Sequence, residues 1–260
     1  MPCIKIAQSS AKKIAISFFK MTAGVILMMT MMSHAISADW QSSNVQLLHG
    51  SDYEDLGGAI DFNSKTVFTF EHANGWAYGD NFFFLDVSNP DKKGTGYYAE
   101  FSPRISIGKV VKKDLATGII KDVLIAFTQE MGSGLHARLY GVGLALNVPG
   151  FAFSDINFYA RESTHDVFGD SKSGYQVTYD WLYPFSIGSS KWAFEGFFDY
   201  AFGEDGGDNP KEDNVITGPR LLINIVNGLQ FGVEYQIWRN KFGIKDVDEE
   251  VAQVMIKWTM

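Results

Sequence analysis

Residues 97–107 read YYAEFSPRISI, and their alternation decides the fold. Tyr97, Ala99, Phe101, Pro103, Ile105 and Ile107 share one parity, whereas Glu100, Ser102, Arg104 and Ser106 share the other. A period of two places successive side chains on opposite faces of a strand. One face of this strand is therefore apolar, and the other carries both a carboxylate and a guanidinium.

The same pattern recurs along the chain. TVFTFEH (66–72) sets Phe68 and Phe70 against Thr69 and Glu71, and DVLIAFTQE (122–130) sets Val123, Ile125 and Phe127 against Asp122, Thr128 and Glu130. FSDINFYAR (153–161) alternates Ile156, Phe158 and Ala160 with Asp155, Asn157, Tyr159 and Arg161. YQVTYDWLYPF (175–185) is the cleanest, with Gln176, Thr178 and Asp180 between apolar or aromatic residues. KWAFEGFFDY (191–200) opposes Trp192, Phe194, Phe198 and Tyr200 to Glu195 and Asp199.

The periodicity predicts twelve strands, near 40–49, 64–72, 75–87, 97–108, 121–130, 135–147, 152–161, 174–185, 190–202, 214–225, 228–239 and 251–260. Short connections containing ANG, VPGF, SIGS and VNG suit hairpins. Long, polar and acidic connections alternate with them, at 50–63, 88–96, 162–173, 203–213 and 240–250. Two gaps break that alternation: 109–120 is long and 131–134 is short.

An even number of strands of about ten residues, joined by alternating short and long connections, describes an outer-membrane barrel. Lipid offers no hydrogen bonds, so a sheet that spans it must close on itself. The expected fold is thus all-β, a transmembrane antiparallel β-barrel over 39–260. Trp181, Tyr183, Trp192, Tyr200, Trp238 and Trp258 are expected at the interfacial girdles, and the chain ends inside an alternating strand at Met260. The competing architecture, a secreted β-sandwich, calls for a more aliphatic face and some unpatterned strands.

The first 38 residues read differently. Lys5, Lys12, Lys13 and Lys20 precede the apolar run MTAGVILMMTMM and the small-residue segment SHAISA. This is the layout of a secretory signal peptide, with cleavage expected after Ala38 or, as second choice, Ala35. The alternative, a membrane-anchor helix, meets a run too short to span a bilayer comfortably. Without residues 1–38, which hold four lysines and no acid, 18 bases and 30 acids are left, a net charge of −12. That balance excludes a nucleic-acid-binding surface, which needs a basic footprint.

The lone Cys3 and scattered histidines at 34, 49, 72, 136 and 165 provide no disulfide and no metal-ligand spacing, so no cofactor or metal is expected. No nucleophile motif is present either. His72 falls near a strand end and His165 in a connection, where a solvated surface role suits both. GVG at 141–143 lies within a strand and opens no phosphate-binding helix.

Several segments together resemble a known family. AEFSPRISIGKV followed by KDLATGIIKDVLIAF, then RLYGVGLALNVPGF, INFYAR, FFDYAFG and NKFGIKDVDEE, are similar to the nucleoside-specific outer-membrane channel family (Tsx/OmpK-like), nearer its OmpK branch. The resemblance spans about 40–260, with Met260 standing where the family usually ends in phenylalanine. It implies a twelve-stranded monomeric barrel in the bacterial outer membrane. It also implies nucleoside passage for the Tsx branch and a phage-receptor role for some OmpK-like members.

Turning the polar parity inward gives eleven lumenal acids: Glu71, Asp80, Asp86, Glu100, Asp122, Glu130, Asp155, Asp180, Glu195, Asp199 and Glu234. It gives five bases, Arg104, Arg161, Lys191, Arg220 and Lys257. Buried charges must pair or stay wet, so the interior is either an ion-paired plug or an acid-biased watered channel. Arg104 and Arg220 each follow a proline, which removes a ladder donor and suggests a local bulge. These arginines either neutralise neighbouring carboxylates such as Glu100 or constrict the pore.

In YGDNFFFLDV (78–87), Tyr78, Phe82 and Phe84 fall on the inward parity with Asp80 and Asp86. Aromatic faces can stack a base and carboxylates can accept hydrogen bonds from ribose hydroxyls. A slip of one residue would send Phe82 and Phe84 to lipid instead. Asn157, Tyr159 and Arg161 provide a second candidate lining group. The expected function is a diffusion channel for nucleosides or similar small polar solutes. Its rival is a surface protein whose acidic loops dock phage over a nearly closed lumen, with an enzyme as the remote third.

Overall fold

The computed structural model describes residues 38–54, 64–89, 95–165, 170–206 and 211–260. The expected signal peptide, apart from Ala38, lies outside the described residues, as do parts of four of the long acidic connections. Residues 39–260 form one unit. Its strands are β1 (Trp40–Ser51), β2 (Ser64–Trp76), β3 (Gly79–Ser88), β4 (Gly96–Ser106), β5 (Ile120–Gly132) and β6 (Leu135–Leu146). They continue with β7 (Phe153–His165), β8 (Tyr175–Ile187), β9 (Ser190–Phe202), β10 in two pieces (Asn214–Thr217 and Arg220–Val226), β11 (Leu229–Arg239) and β12 (Glu249–Thr259). One short helix, α1 (Ile107–Val111), follows β4, and a 3-10 turn (Lys241–Gly243) follows β11.

Each strand pairs antiparallel with the next, and β12 pairs with β1 from Asn44↔Thr259 to Gly50↔Gln253. The backbone N–H of Met260 donates to the Ser43 carbonyl at 2.9 Å. The sheet is therefore a closed twelve-stranded barrel with no free edge, the form a bilayer requires.

Burial is inverted relative to a water-soluble domain. Phe101, Ile105, Ile125, Phe158, Phe194 and Val254 are exposed, while Gln46, Thr128, Glu130, Gln176, Glu234 and Gln253 are buried. The apolar parity faces out and the polar parity faces in. On the outer face, the hydroxyls of Tyr140, Tyr200 and Tyr235 donate to Glu162, Asp213 and Glu250 at 3.4, 2.8 and 2.6 Å. Each carboxylate lies nearer the long-connection end than its tyrosine, so these rings mark where the apolar wall gives way to polar groups.

The interior also has apolar wall. Leu48, Met255, Leu222 and Ala193 form a buried stripe, with Val67 and Leu182 packed against it. Gly232, the Cα partner of both Met255 and Leu222, places no side chain between them.

The structure corrects several expectations. Asn74 and Gly75 do not form the first hairpin turn; β2 continues to Trp76 and the turn is Ala77–Tyr78. Tyr78 is therefore not a lumen residue but an exposed ring packed edge-on to Trp76, centroids 5.6 Å apart. Neither proline makes a bulge. Register is the same on both sides of Pro103 (Phe101↔Gln129, Arg104↔Ala126) and of Pro219 (Thr217↔Ile237, Arg220↔Glu234). A missing N–H interrupts the ladder without adding a residue.

Two tryptophans also leave the expected girdles. Trp238 is inward, its ring 4.5 Å from Phe242 and beneath the Lys241 ammonium. Trp181 is outward but buried mid-strand over its partner Gly196.

Candidate functional site: a charged and aromatic lumen

Arg104 projects inward from β4. Its Nε and Nη2 donate to Asp80 on β3 at 2.7 and 3.0 Å, and Nη2 also donates to Asp155 on β7 at 2.7 Å. β7 is three strands away around the wall, so this bond is a chord across the interior. The two-point contact with Asp80 fixes the plane of the guanidinium. Glu100, the expected partner on the same strand, is instead bonded by the Tyr98 hydroxyl at 2.6 Å. Residues four apart on a strand are separated by about 13 Å, farther than a cross-strand neighbour.

A second network surrounds Arg220. Its Nε meets Glu234 at 2.5 Å and its Nη1 meets Glu71 at 3.1 Å and Glu195 at 3.7 Å. Lys257 joins it through Glu195 at 2.6 Å. Neutral side chains complete the shell: Asn44 donates to Glu71 at 2.9 Å and Gln253 to Glu234 at 2.7 Å. Tyr53, from the connection after β1, donates to Gln253 at 2.5 Å. Burial, reinforced by Glu234, Glu249 and Asp86, pushes the Tyr53 hydroxyl well above the ordinary tyrosine range, so it stays a donor.

A third network centres on Arg161, which grips Glu130 through both terminal nitrogens and donates to Gln176 at 2.9 Å. Glu204, from the connection after β9, reaches Arg161 Nε at 3.4 Å. Asp199 lies next in line, accepting from Gln176 at 3.1 Å and from Thr178. Asn157 and Tyr159 are buried in the wall here, with Tyr159 packed among Ala126, Ala137 and Leu139. A Cβ on Gly143 would lie 2.4 Å from Asn157 Oδ1, so that glycine leaves room for the amide.

The aromatics occupy a different part of the wall. Phe82 and Phe84 share the face of Asp80 and Asp86, whose carboxylates bond Arg104 and Thr69. Phe82, Phe84 and Tyr98 form a run with centroid spacings of 5.9 and 5.7 Å. Although it faces inward, Phe82 is 37% exposed, whereas the side chains of the Arg161 and Arg220 networks are largely buried. Accessible interior surface thus borders the aromatic run.

The charge balance follows from the pairing. Arg104, Arg161, Arg220 and Lys257 are all ion-paired, while Asp86, Glu100, Asp180 and Asp199 form no ion pair among the described residues. Lys191 and Asp122, counted as lumenal from parity, lie near strand ends and join none of these networks; Lys191 is exposed. Sequence reasoning did not single out Tyr53, Tyr98, Asn44, Gln46 or Gln253. Parity would have placed the last four inward, whereas Tyr53 is in a connection and carries no such signal.

No catalytic arrangement is visible among the described residues. Ser43 and His72 are in contact at 2.8 Å, but no carboxylate is bonded to the ring. Nor does any group of three or more His, Cys, Asp or Glu side chains that could hold a metal occur among them.

Comparison with known proteins identifies the family. The family model "Nucleoside-specific channel-forming protein, Tsx" matches residues 37–259. "Outer membrane protein OmpK" of Vibrio parahaemolyticus serotype O3:K6 (strain RIMD 2210633) is 25% identical over 243 residues, 82% of this chain and 87% of that relative. Among solved structures, the KdgM porin aligns at 11% identity and a TM-score of 0.46, and the NanC porin at 12% and 0.49. Each alignment covers 83% of this chain and 98% of the porin. The chain belongs to the nucleoside-specific channel-forming Tsx family, and it is a channel protein of the bacterial outer membrane rather than an enzyme.

Proposed function

We propose that this barrel is a monomeric, narrow diffusion channel for nucleosides or chemically similar small polar solutes. The observation that carries the proposal is the inward run Phe82–Phe84–Tyr98 beside the Arg104–Asp80–Asp155 chord. A base can stack on the exposed ring of Phe82, a ribose can donate to a neighbouring carboxylate, and the arginine bounds the passage. The termini lie in the periplasm on this reading, because short turns collect at that end and long connections at the other. Single-channel recording tests it: discrete conductance, partly blocked by added uridine or adenosine, is expected. Conductance indifferent to nucleosides overturns the specificity.

A second reading, a phage-docking barrel over a nearly closed lumen, is favoured by the ties at the long-connection end. There Lys241 bonds Glu249 at 2.5 Å and the Glu54 carbonyl at 3.3 Å, while Tyr53 bonds Gln253. Absence of any conductance, together with phage adsorption lost on shortening 240–248, would favour this alternative.

A further inference from the structure

The connection from β4 to β5 is the long one at an end where turns are otherwise short, and the channel networks make no use of it. It begins with α1 and carries Lys109, Lys112, Lys113 and, at the start of β5, Lys121. Thus four of the 18 basic residues of 39–260 fall within thirteen positions of a chain whose net charge there is −12. No ion pair holds these four lysines among the described residues. The two acids nearby are turned to the backbone: Asp114 accepts from Ala116 N and Asp122 from Val123 N, each at 2.8 Å.

The lysines Lys109, Lys112, Lys113 and Lys121 line an open cleft of about 320 Å³ with Ser106 and Asp122. Val110, Val111 and Ile119 are each about half exposed on the same connection. The cleft is fixed to the barrel wall. Lys109 Nζ donates to the Trp76 carbonyl at 3.2 Å, and Trp76 packs against the exposed ring of Tyr78. Gly108 is buried so closely that a Cβ would lie 2.9 Å from the Lys113 carbonyl. A rigid platform thus presents apolar tips and ammonium groups beside an aromatic pair at the edge of the apolar wall.

We propose that this platform docks on anionic phospholipid headgroups, with Val110, Val111 and Ile119 entering the acyl boundary and the lysines holding the phosphates. Apolar residues flanked by lysines bind an interface through both buried area and attraction to anionic lipid. Juxtamembrane lysines contribute about fivefold each in affinity for such a surface. Charge complementarity selects this occupant, since the rest of the chain is acidic and would repel an anionic partner elsewhere.

The test uses the full mature chain in neutral detergent, with tryptophan emission quenched by phosphatidylglycerol or phosphatidylcholine carrying brominated acyl chains. The native protein is expected to bind phosphatidylglycerol at least several-fold more tightly at low ionic strength. The variant K109Q/K112Q/K113Q/K121Q should lose most of that preference, and V110S/V111S should weaken both lipids equally. Circular dichroism and heat-modifiable migration report folding; if the fourfold variant fails, K109Q/K112Q and K113Q/K121Q are compared instead. Equal affinity for the two lipids in the native protein, or an undiminished preference in the lysine variants, overturns the proposal. Inorganic phosphate that abolishes the preference at constant ionic strength also overturns it, by identifying a site for a free anion.

Discussion

Arg104 on β4 and Asp155 on β7 meet at 2.7 Å although β5 and β6 separate their strands along the wall. Their bond divides the interior, and Asp80 holds the guanidinium from the other side. Arg104→Ala removes the chord and leaves two facing carboxylates. We expect higher single-channel conductance, a shift of the reversal potential toward cations, and a stability loss of about 1–3 kcal/mol from unsatisfied acids. Recording across a salt gradient, with thermal unfolding of the same samples, checks all three.

The unaltered channel should itself favour cations. Arg104 is shared by Asp80 and Asp155, and Arg220 with Lys257 faces Glu71, Glu195 and Glu234, so each network holds one carboxylate more than its bases. A narrow low-dielectric passage focuses the resulting field. Nucleoside monophosphates should enter less readily than nucleosides, and the difference should shrink as salt shortens the Debye length below about 10 Å. Anion selectivity at low salt would contradict this.

Phe82→Ala should weaken nucleoside block without harming the barrel. Stacking of a base on an aromatic ring is worth about 1–3 kcal/mol, so the blocking constant should rise at least about fivefold. Because Phe82 is more than one-third exposed, its removal leaves little cavity. Titrating uridine against the single-channel current in the two proteins provides the measurement.

Acidification should break a tie between two long connections only late, below the pH at which ordinary carboxylates protonate. Asp205 accepts from Lys172 N at 3.0 Å, Ser171 Oγ at 3.1 Å and Ser173 Oγ at 3.3 Å. Partial desolvation opposes ionisation, but these hydrogen bonds outweigh it and hold the carboxyl below the ordinary aspartate range. A depressed value means that the tie is intact at neutral pH and lost as pH falls through that lowered value. Amide exchange at Lys172 should accelerate only in that acidic window, and Asp205→Asn should accelerate it at neutral pH.

Gly196→Ala should destabilise the barrel by about 1–3 kcal/mol through overpacking. A Cβ there would lie 2.7 Å from the Gly218 carbonyl, 2.8 Å from Trp181 Cζ2 and 3.0 Å from Pro219 Cα. Two of those contacts are backbone and cannot step aside. Heat-modifiable migration at a series of temperatures reads the loss.

Period two was enough to locate nearly every strand, because in this barrel one face meets lipid and the other meets water. It failed where a glycine serves close approach rather than a turn. Gly75 reads as the corner of an Asn-Gly hairpin, yet a Cβ there would lie 2.1 Å from Trp40 Nε1, so the residue is needed inside β2 to seat that indole. The inward parity of Arg104, Arg161 and Arg220 was legible, whereas their partners were not. Pairing across a lumen depends on strand tilt and stagger, which no local pattern encodes. The Arg104–Asp155 and Arg220–Glu71 contacts, 51 and 149 residues apart, are products of closure alone.

The seam between β1 and β12 also constrains how the molecule is made. Residues 44–50 find their partners only at 253–259, so roughly two hundred residues must be laid down before that ladder can form. Contacts of such sequence separation are slow to form because the intervening chain must first be ordered. Until then the N-terminal strand presents a row of unsatisfied amides, the kind of edge that recruits a foreign strand. Biogenesis of this protein must therefore shelter its first strand until its last one arrives, and a nascent chain that stops short of residue 253 is left with an open sheet that lipid will not accept.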